Sequence, residues 1–415
     1  MKPVDIPSHS QLSLPLLEAL KEHGPLSPSK VADAVADRLG LPSEVRNARR
    51  PMPSYSRDGV NLFERRLRWI RQSHVKAGLI DDSMRATWRL TDLGGRFCRD
   101  AKPGIVVTVF ETDAGAAVWA EFQSALGYLA DGSVQAVITS TPYPITGGRR
   151  YGTFTPEQVV NLVEDMFTAL KPKLRPDGSV FLNLADVWNQ GSPTRSTYQE
   201  RIILNLTEKF GFHFADRFIW HSPSKPAATD WVTKRRERVR SSNEQFLWFS
   251  PTARPKADNR QVLVPYGETM RRTLAAGGDR RTPRPSGHGH AGESYAKDNG
   301  GAIPPNFFNV PHATSNSAYI QYCKRMGLDT HPARFPAGGI LEFFVKLSTT
   351  PGDLVVDCCA GSQLLADACQ RLGRRWFTTE RHLPYIRGGE AHFRHLPDFH
   401  SLGIMGEQRP VLPLP

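Results

Sequence analysis

The chain is poor in the features that mark membrane, secreted and metal-dependent proteins. No apolar run reaches the roughly 20 residues that a membrane-spanning helix requires. Met1 to Gln11 is polar, which sets aside a secretory signal. Five cysteines occur in 415 residues: Cys98, Cys323, Cys358, Cys359 and Cys369. An odd number without metal-type spacing speaks against a disulfide framework or a metal site, and for reduced thiols in a cytoplasmic protein. No internal repeat is evident. Acidic residues are in deficit, with 41 Asp and Glu against 53 Lys and Arg, a formal net charge of +12. That balance suits a polyanionic partner, although many soluble proteins are as basic without one. The length allows two domains and a substantial core.

What is present converges on two short stretches. The apolar run Val134 to Ile138 reads as a buried strand, and it delivers Ser140-Thr141-Pro142-Tyr143 at its carboxyl end. Asp353 to Val356 reads as a second buried strand. It runs into Asp357-Cys358-Cys359-Ala360-Gly361-Ser362 and then into the apolar stretch Leu364 to Cys369. Strand, tight turn and helix is how an open α/β sheet builds a nucleotide-sized site at its strand ends. Glu380 closes the next apolar stretch, Trp376 to Thr379, about twenty residues after the turn, where such folds bind ribose hydroxyls.

In this order the two motifs resemble those of the amino-methylating DNA methyltransferases. Ser140 to Tyr143 is similar to their Ser-Pro-Pro-Tyr catalytic motif, and Asp357 to Ser362 to their Asp-Pro-Phe-Ala-Gly-Ser cofactor motif. Catalytic motif first and cofactor motif last resembles the β-type circular permutation, and a leading Ser is more usual in the cytosine-N4 branch. Arg149 to Gly152, Ser242-Asn243-Glu244, Thr314 to Ser317 and His331 to Pro336 are similar to that branch too. The resemblance covers roughly residues 105 to 395. It implies an α/β, Rossmann-like fold that uses S-adenosylmethionine as cofactor and double-stranded DNA as partner. A cognate restriction endonuclease would be a further partner.

The same resemblance implies the roles of the site residues. Ser140 and the carbonyl of Thr141 would accept hydrogen bonds from the exocyclic amine, and Pro142 and Tyr143 would complete the loop, with Tyr143 as an aromatic face for an extruded base. Asp357 would pair with the cofactor's ammonium or a bridging water, Ala360, Gly361 and Ser362 would form the turn around its methionine part, and Glu380 would take the ribose hydroxyls. Phe335 and Pro336 would cover the methionine end. Arg149, Arg150, Arg280, Arg281 and Arg284 would contact DNA. Thr141, Cys358, Cys359 and Gln363 depart from the motifs, so an aromatic wall beside the cofactor and the helix-capping groups are expected to be missing. A weakened or non-catalytic DNA-binding relative is the alternative to cytosine-N4 transfer, as is adenine-N6 transfer, and acceptors other than DNA are not separated by composition.

Residues 1–99 read as a separate small domain. Helices are expected through Leu14 to Leu20, from Ser27 or Ser29 to Leu39, and through Leu62 to Val75, with a Pro- and Arg-rich break at Arg46 to Arg57 and a short strand at Thr87 to Thr91. The stretch resembles the winged-helix module of Mrr-like restriction proteins. Arg65, Arg66, Arg68, Arg71 and Lys76 would face phosphates; a docking or dimerisation module fits the same pattern. Asp100 to Gly104 is the expected linker and 105–395 the methyltransferase domain. Regular patterning ends between Pro251 and Pro305, where a target-recognition region is expected at about 251–310. From Trp231 to Pro285 there are 13 Lys and Arg against 5 Asp and Glu. Residues 396–415 are expected to form a tail.

Overall fold

A computed structural model of the chain describes residues 6–7, 9–52, 56–92, 94, 100–101, 103–104, 106–144, 154–225, 229–278, 295–312, 317–336 and 339–401. The first helices are α1 (His9–His23), α2 (Pro28–Arg38), α3 (Ser43–Arg46) and α4 (Leu62–Lys76). Ser27 caps α2 by accepting from the Lys30 amide, and Asn61 caps α4 by accepting from that of Glu64. β3 (Ile80–Asp81) and β4 (Arg89–Leu90) form a short antiparallel hairpin. The Pro- and Arg-rich stretch contributes an unexpected hairpin, β1 (Arg49–Met52) with β2 (Ser56–Asn61). It is built on backbone pairing and has no apolar alternation to announce it.

Two of the five arginines and lysines expected to face phosphates are turned inward. Arg66 donates to the carbonyls of Ile6 and Pro7 at 2.6 and 2.9 Å, and the Arg71 guanidinium lies 5.7 Å from the Trp88 ring centre. Helix α4 buries Phe63, Leu67 and Ile70 along one face, and positions 66 and 71 flank that face. Helix α1 is buried on several sides, with Leu12, Leu14, Leu16, Leu17 and Leu20 all in the core. Its hydrophobic cluster is continuous with that of the large sheet. Glu18 joins α1 to Arg38 of α2 at 3.0 Å and also pairs with Arg387 near the other end of the chain.

The described strands β5 (Val107–Thr112), β6 (Gly115–Trp119), β7 (Val134–Ser140), β8 (Leu174–Ala185), β9 (His213–His221), β10 (Asn243–Ser250), β11 (Phe307–Asn309), β12 (Leu354–Asp357), β13 (Arg375–Glu380) and β14 (His400–Ser401) form one sheet. Its order is β11-β9-β10-β8-β7-β12-β13-β6-β5-β14. The run from β8 through β7, β12 and β13 to β6 is parallel, while β10 on one flank and β5 on the other are antiparallel to it. Parallel strands buried on both faces need apolar side chains pointing both ways, which is why the sequence shows continuous apolar runs here. Ala136, Ile138, Phe181, Val355 and Trp376 point to one layer, and Val137, Val180, Leu182, Val356 and Phe377 to the other.

Helices α5 (Phe122–Leu126), α6 (Pro156–Leu170) and α7 (Tyr198–Leu204) cover the second layer. Helix α6 starts in a capping box, with Thr155 and Gln158 bonded to each other's backbone amides, and buries Val159, Val160, Val163, Met166, Phe167 and Leu170. Two further helices, α8 (Glu268–Ala275) and α9 (Ala318–Met326), precede α10 (Ile340–Ser348), α11 (Leu364–Arg371) and α12 (Leu383–Gly389), which cover the first layer. The fold is Rossmann-like α/β, as expected.

Three regions differ from the expectation. The interval 251–310 contains α8 and the edge strand β11 among its described residues. Helix α8 buries no side chain and carries an Arg272–Glu268 pair one turn apart, so no apolar stripe betrays it. The 396–415 tail supplies β14, which pairs with β5 at the sheet edge. The linker at Asp100 is pinned, with a β-bridge to His382 and an Ala101 amide bonded to the Arg381 carbonyl at 2.7 Å. No helix among the described residues is long and apolar enough to cross a membrane.

Candidate active site

Strands β7 and β12 are neighbours in parallel register, Val137 beside Val356, so Ser140 and Asp357 emerge at the same edge of the sheet. β13 lies next to β12 and ends there with Glu380. A cavity of about 350 Å³ opens at this edge, within the size range of small-ligand sites. Ser140, Thr141, Pro142, Tyr143, Phe335, Asp357, Ala360, Gly361, Ser362 and Glu380 all line it. Pro336 is buried and does not; of the two consecutive residues only Phe335 faces the cavity. Phe122, Phe154 and Tyr385 supply aromatic walls from elsewhere in the chain, offsetting the Cys at position 359. Arg149, Arg150, Arg280, Arg281 and Arg284 lie outside the described residues.

On the cofactor-motif side the backbone turns tightly. Gly361 has φ +49°, a left-handed conformation that favours glycine, and a Cβ there would crowd the His331 ring at 3.1 Å. The Gly361 amide donates to Glu380 Oε2 at 2.9 Å and the His382 amide to Glu380 Oε1 at 2.8 Å. Burial nevertheless pushes the Glu380 carboxyl up from its ordinary value. Asp357 accepts from the Thr139 hydroxyl at 2.8 Å and the Cys359 amide at 3.0 Å. Burial outweighs these two neutral donors and moves its pKa up to about 7. Gln363 opens α11 at φ +65° without a side-chain cap, as the motif departure predicts, and its Oε1 accepts from Thr378 at 2.6 Å. Burial raises the thiols of Cys358 and Cys359 well above their ordinary value, which keeps both in the un-ionised form.

On the catalytic-motif side stands a polar cluster that the sequence reading did not assign. The Ser140 hydroxyl lies 3.2 Å from both Asn183 Oδ1 and the Tyr143 hydroxyl and can donate its one proton to either. The Tyr143 hydroxyl lies 2.7 Å from Asn183 Oδ1 and 2.8 Å from Glu244 Oε2 and can donate its one proton to either. Glu244, which faces Ala185 across β10 and β8, is met by Lys225 Nζ at 2.9 Å and His312 Nε2 at 3.3 Å. Burial raises the Glu244 carboxyl, but the donors around it, His312 first and then Lys225, outweigh burial and hold it below its ordinary value. The His312 ring is stacked on Trp220 with centres 4.6 Å apart. Glu244 lies within a stretch noted for its family likeness, and only the pairing of β10 with β8 connects it to Ser140.

The family model described as DNA methylase matches residues 134–391, more than half of the chain and the whole of this cavity's two motifs. The chain belongs to the DNA methylase family. A second model, the Mrr N-terminal domain, matches residues 9–100 of the methylase. The methylase is 37% identical over 266 residues to the type II methyltransferase M.PvuII of Proteus hauseri, an alignment covering 63% of this chain and 79% of that one. Its fold matches the solved structure titled PvuII DNA methyltransferase (cytosine-N4-specific) with a TM-score of 0.54 and 30% identity, covering 68% of this chain and 87% of the other.

The methyl donor of the methylase is S-adenosylmethionine. The cavity suits it on three counts. Gly361 leaves a cradle that a Cβ would fill. The Thr141 hydroxyl is buried in the wall without a protein partner among the described residues. Asp357 is a buried carboxylate that no cation pairs with among the described residues, the environment an ammonium group would complete. DNA is the methylase's partner.

Proposed function

We propose that the methylase transfers the methyl of S-adenosylmethionine to the exocyclic N4 amine of cytosine, within a short specific sequence of double-stranded DNA. The observation that carries this reading is the Ser140 hydroxyl. Its oxygen lies within hydrogen-bond reach of Asn183 Oδ1 and the Tyr143 hydroxyl, either of which can take its single proton, and it lines the cavity, so a lone pair is available there for an amine hydrogen. The cytosine-N4 specificity of the PvuII DNA methyltransferase, 30% identical to this chain, supports the choice of base.

An aromatic amine is a poor nucleophile because its lone pair is delocalised into the ring. Drawing its hydrogens toward Ser140 Oγ and the Thr141 carbonyl turns that lone pair out of the ring plane, toward the methyl donor. The extruded base would lie against Tyr143, whose ring is held by its hydroxyl. When bound, the cofactor supplies an electrophilic methyl on a sulfonium. In this reading Asp357 holds its ammonium, Glu380 its ribose hydroxyls, Ala360 to Ser362 its methionine backbone, and Phe335 covers the methionine end. The methyltransferase domain spans 105–395 and the target-recognition region about 251–310.

Residues 1–99 form a winged-helix DNA-binding domain in this reading, with Arg65, Arg68 and Lys76 toward phosphates. Arg149, Arg150, Arg280, Arg281 and Arg284 would contact the backbone of the target. The methylase would act in the cytoplasm on nucleoid DNA beside a cognate restriction endonuclease. The test is incubation with labelled S-adenosylmethionine and mixed-sequence duplex DNA, followed by nucleoside mass spectrometry. N4-methylcytosine is the expected product. N6-methyladenine would overturn the base, and no methylated nucleoside from folded, DNA-bound protein would overturn the transfer.

A further inference from the structure

The cluster behind Tyr143 forms a continuous path from the amine site to an ionised acid. Ser140 Oγ is 3.2 Å from the Tyr143 hydroxyl, and that hydroxyl is 2.8 Å from Glu244 Oε2. Asn183 touches both hydroxyls, but an amide oxygen does not take up a proton at neutral pH, so it can orient the path without ending it. Its Nδ2 is engaged with the Gln245 carbonyl at 3.3 Å, which fixes the oxygen toward Ser140 and Tyr143. Glu244 is 4% exposed. A carboxylate buried that deeply for structural ends alone would pair with Lys225 and His312 and need no link to the motif loop. Here one of its oxygens takes both of those contacts, and the other is given to Tyr143.

We infer that Glu244 is a positioning residue for methyl transfer, holding Tyr143 and through it Ser140, and that it receives the proton the methylated amine must lose. The inference rests on the cytosine-N4 reading above. In the step, the N4–CH3 bond forms as the S–CH3 bond breaks, and the bonding pair stays on sulfur. The amine nitrogen then carries one proton too many. That proton passes to Ser140 Oγ as the Ser140 proton moves to the Tyr143 oxygen and the Tyr143 proton moves to Glu244 Oε2. A cationic amine and a carboxylate become a neutral methylated amine and a carboxylic acid, which returns its proton to solvent after product leaves. Among the described residues, Lys225 from the segment after β9, His312 from the segment after β11, and Tyr143 are the ionisable groups facing Glu244. Tyr198 of α7 also feels its charge.

The test compares full-length wild-type protein with Glu244→Gln, Glu244→Asp and Tyr143→Phe in single-turnover methyl transfer, with cofactor affinity measured by calorimetry. Glu244→Gln keeps an acceptor for the Tyr143 hydroxyl and removes the proton acceptor. Its rate should fall by about 100-fold, with DNA KM and cofactor affinity unchanged. The residual rate should rise with pH, because solvent base must then take the proton, while the wild-type rate stays flat across about pH 6 to 9. Glu244→Asp should restore the flat profile in part, and adding Tyr143→Phe to Glu244→Gln should cost nothing further. A wild-type rate in Glu244→Gln would overturn the inference. So would a loss confined to KM or cofactor affinity with the pH profile unmoved. If Glu244→Gln does not fold, Tyr143→Phe decides, and a wild-type rate and profile there overturns the path. Wild-type protein that yields no methylated cytosine removes the underlying reading and the inference with it.

Discussion

Two buried carboxylates stand at the same edge of the sheet and are driven in opposite directions. Asp357, at the end of β12, and Glu244, at the start of β10, are 3% and 4% exposed. Burial favours the neutral acid in both. Around Asp357 the described partners are neutral, a threonine hydroxyl and a backbone amide, so burial wins and the pKa rises to about 7. Around Glu244 stand Lys225 and His312, and the pKa falls. Burial therefore does not decide the charge of a site; the partner does. The acid with its own basic partners is neutralised within the protein, and in the proposed reading the acid left without one is where the cofactor's ammonium would sit.

Closing the space beside Asp357 should break this contrast most severely. Gly361→Val would place a branched side chain at positive φ, a conformation costing about 1–3 kcal/mol, and against the His331 ring. Cofactor affinity measured by calorimetry is expected to fall by more than about 100-fold.

Lys225→Met would put Glu244 in the position of Asp357. Removing one partner of a buried pair costs on the order of 3 kcal/mol, read as a lowered denaturation midpoint at neutral pH. The Glu244 pKa should also rise, so that the methyl-transfer rate gains an acid limb the wild type lacks at neutral pH. An unchanged midpoint and a flat profile would show that His312 alone sustains the carboxylate.

Asp357→Asn sharpens the other side and should weaken cofactor binding by about 2 kcal/mol. In the wild type, affinity should increase as pH rises from about 6 to about 8, because the carboxylate form binds the ammonium; the Asn variant should lose that dependence. Stability follows the opposite sign. The folded-state pKa near 7 lies above the unfolded value, so the unfolded chain gives up its proton first. The unliganded fold loses stability as pH rises between the two, and denaturation of Asp357→Asn should lack that slope.

The motifs were legible because each is contiguous and each follows an apolar strand. Val134 to Ile138 and Leu354 to Val356 fill both layers of the core, and a run apolar on both sides leaves a plain mark in one dimension. Helix α8 left no mark because it buries nothing. Arg66 and Arg71 looked like surface charge, yet both face inward, because long side chains beside an apolar stripe can turn either way.

The order of the chain by itself determined the sheet's central strands, the turn at Gly361 and the placing of Ser140, Asp357 and Glu380 at strand ends. Local sequence sets these through apolar periodicity, turn chemistry and the polarity of the residues where a strand stops. The joining of Glu244, Lys225, His312 and Asn183 to Tyr143 was decided only in three dimensions. Those residues come from separate strands and connections, and they meet because β10 pairs antiparallel with β8 and β9 in one register. A shift of one residue would turn Glu244 to the other face. That choice is made by the packing of the whole sheet, which no local stretch of sequence records.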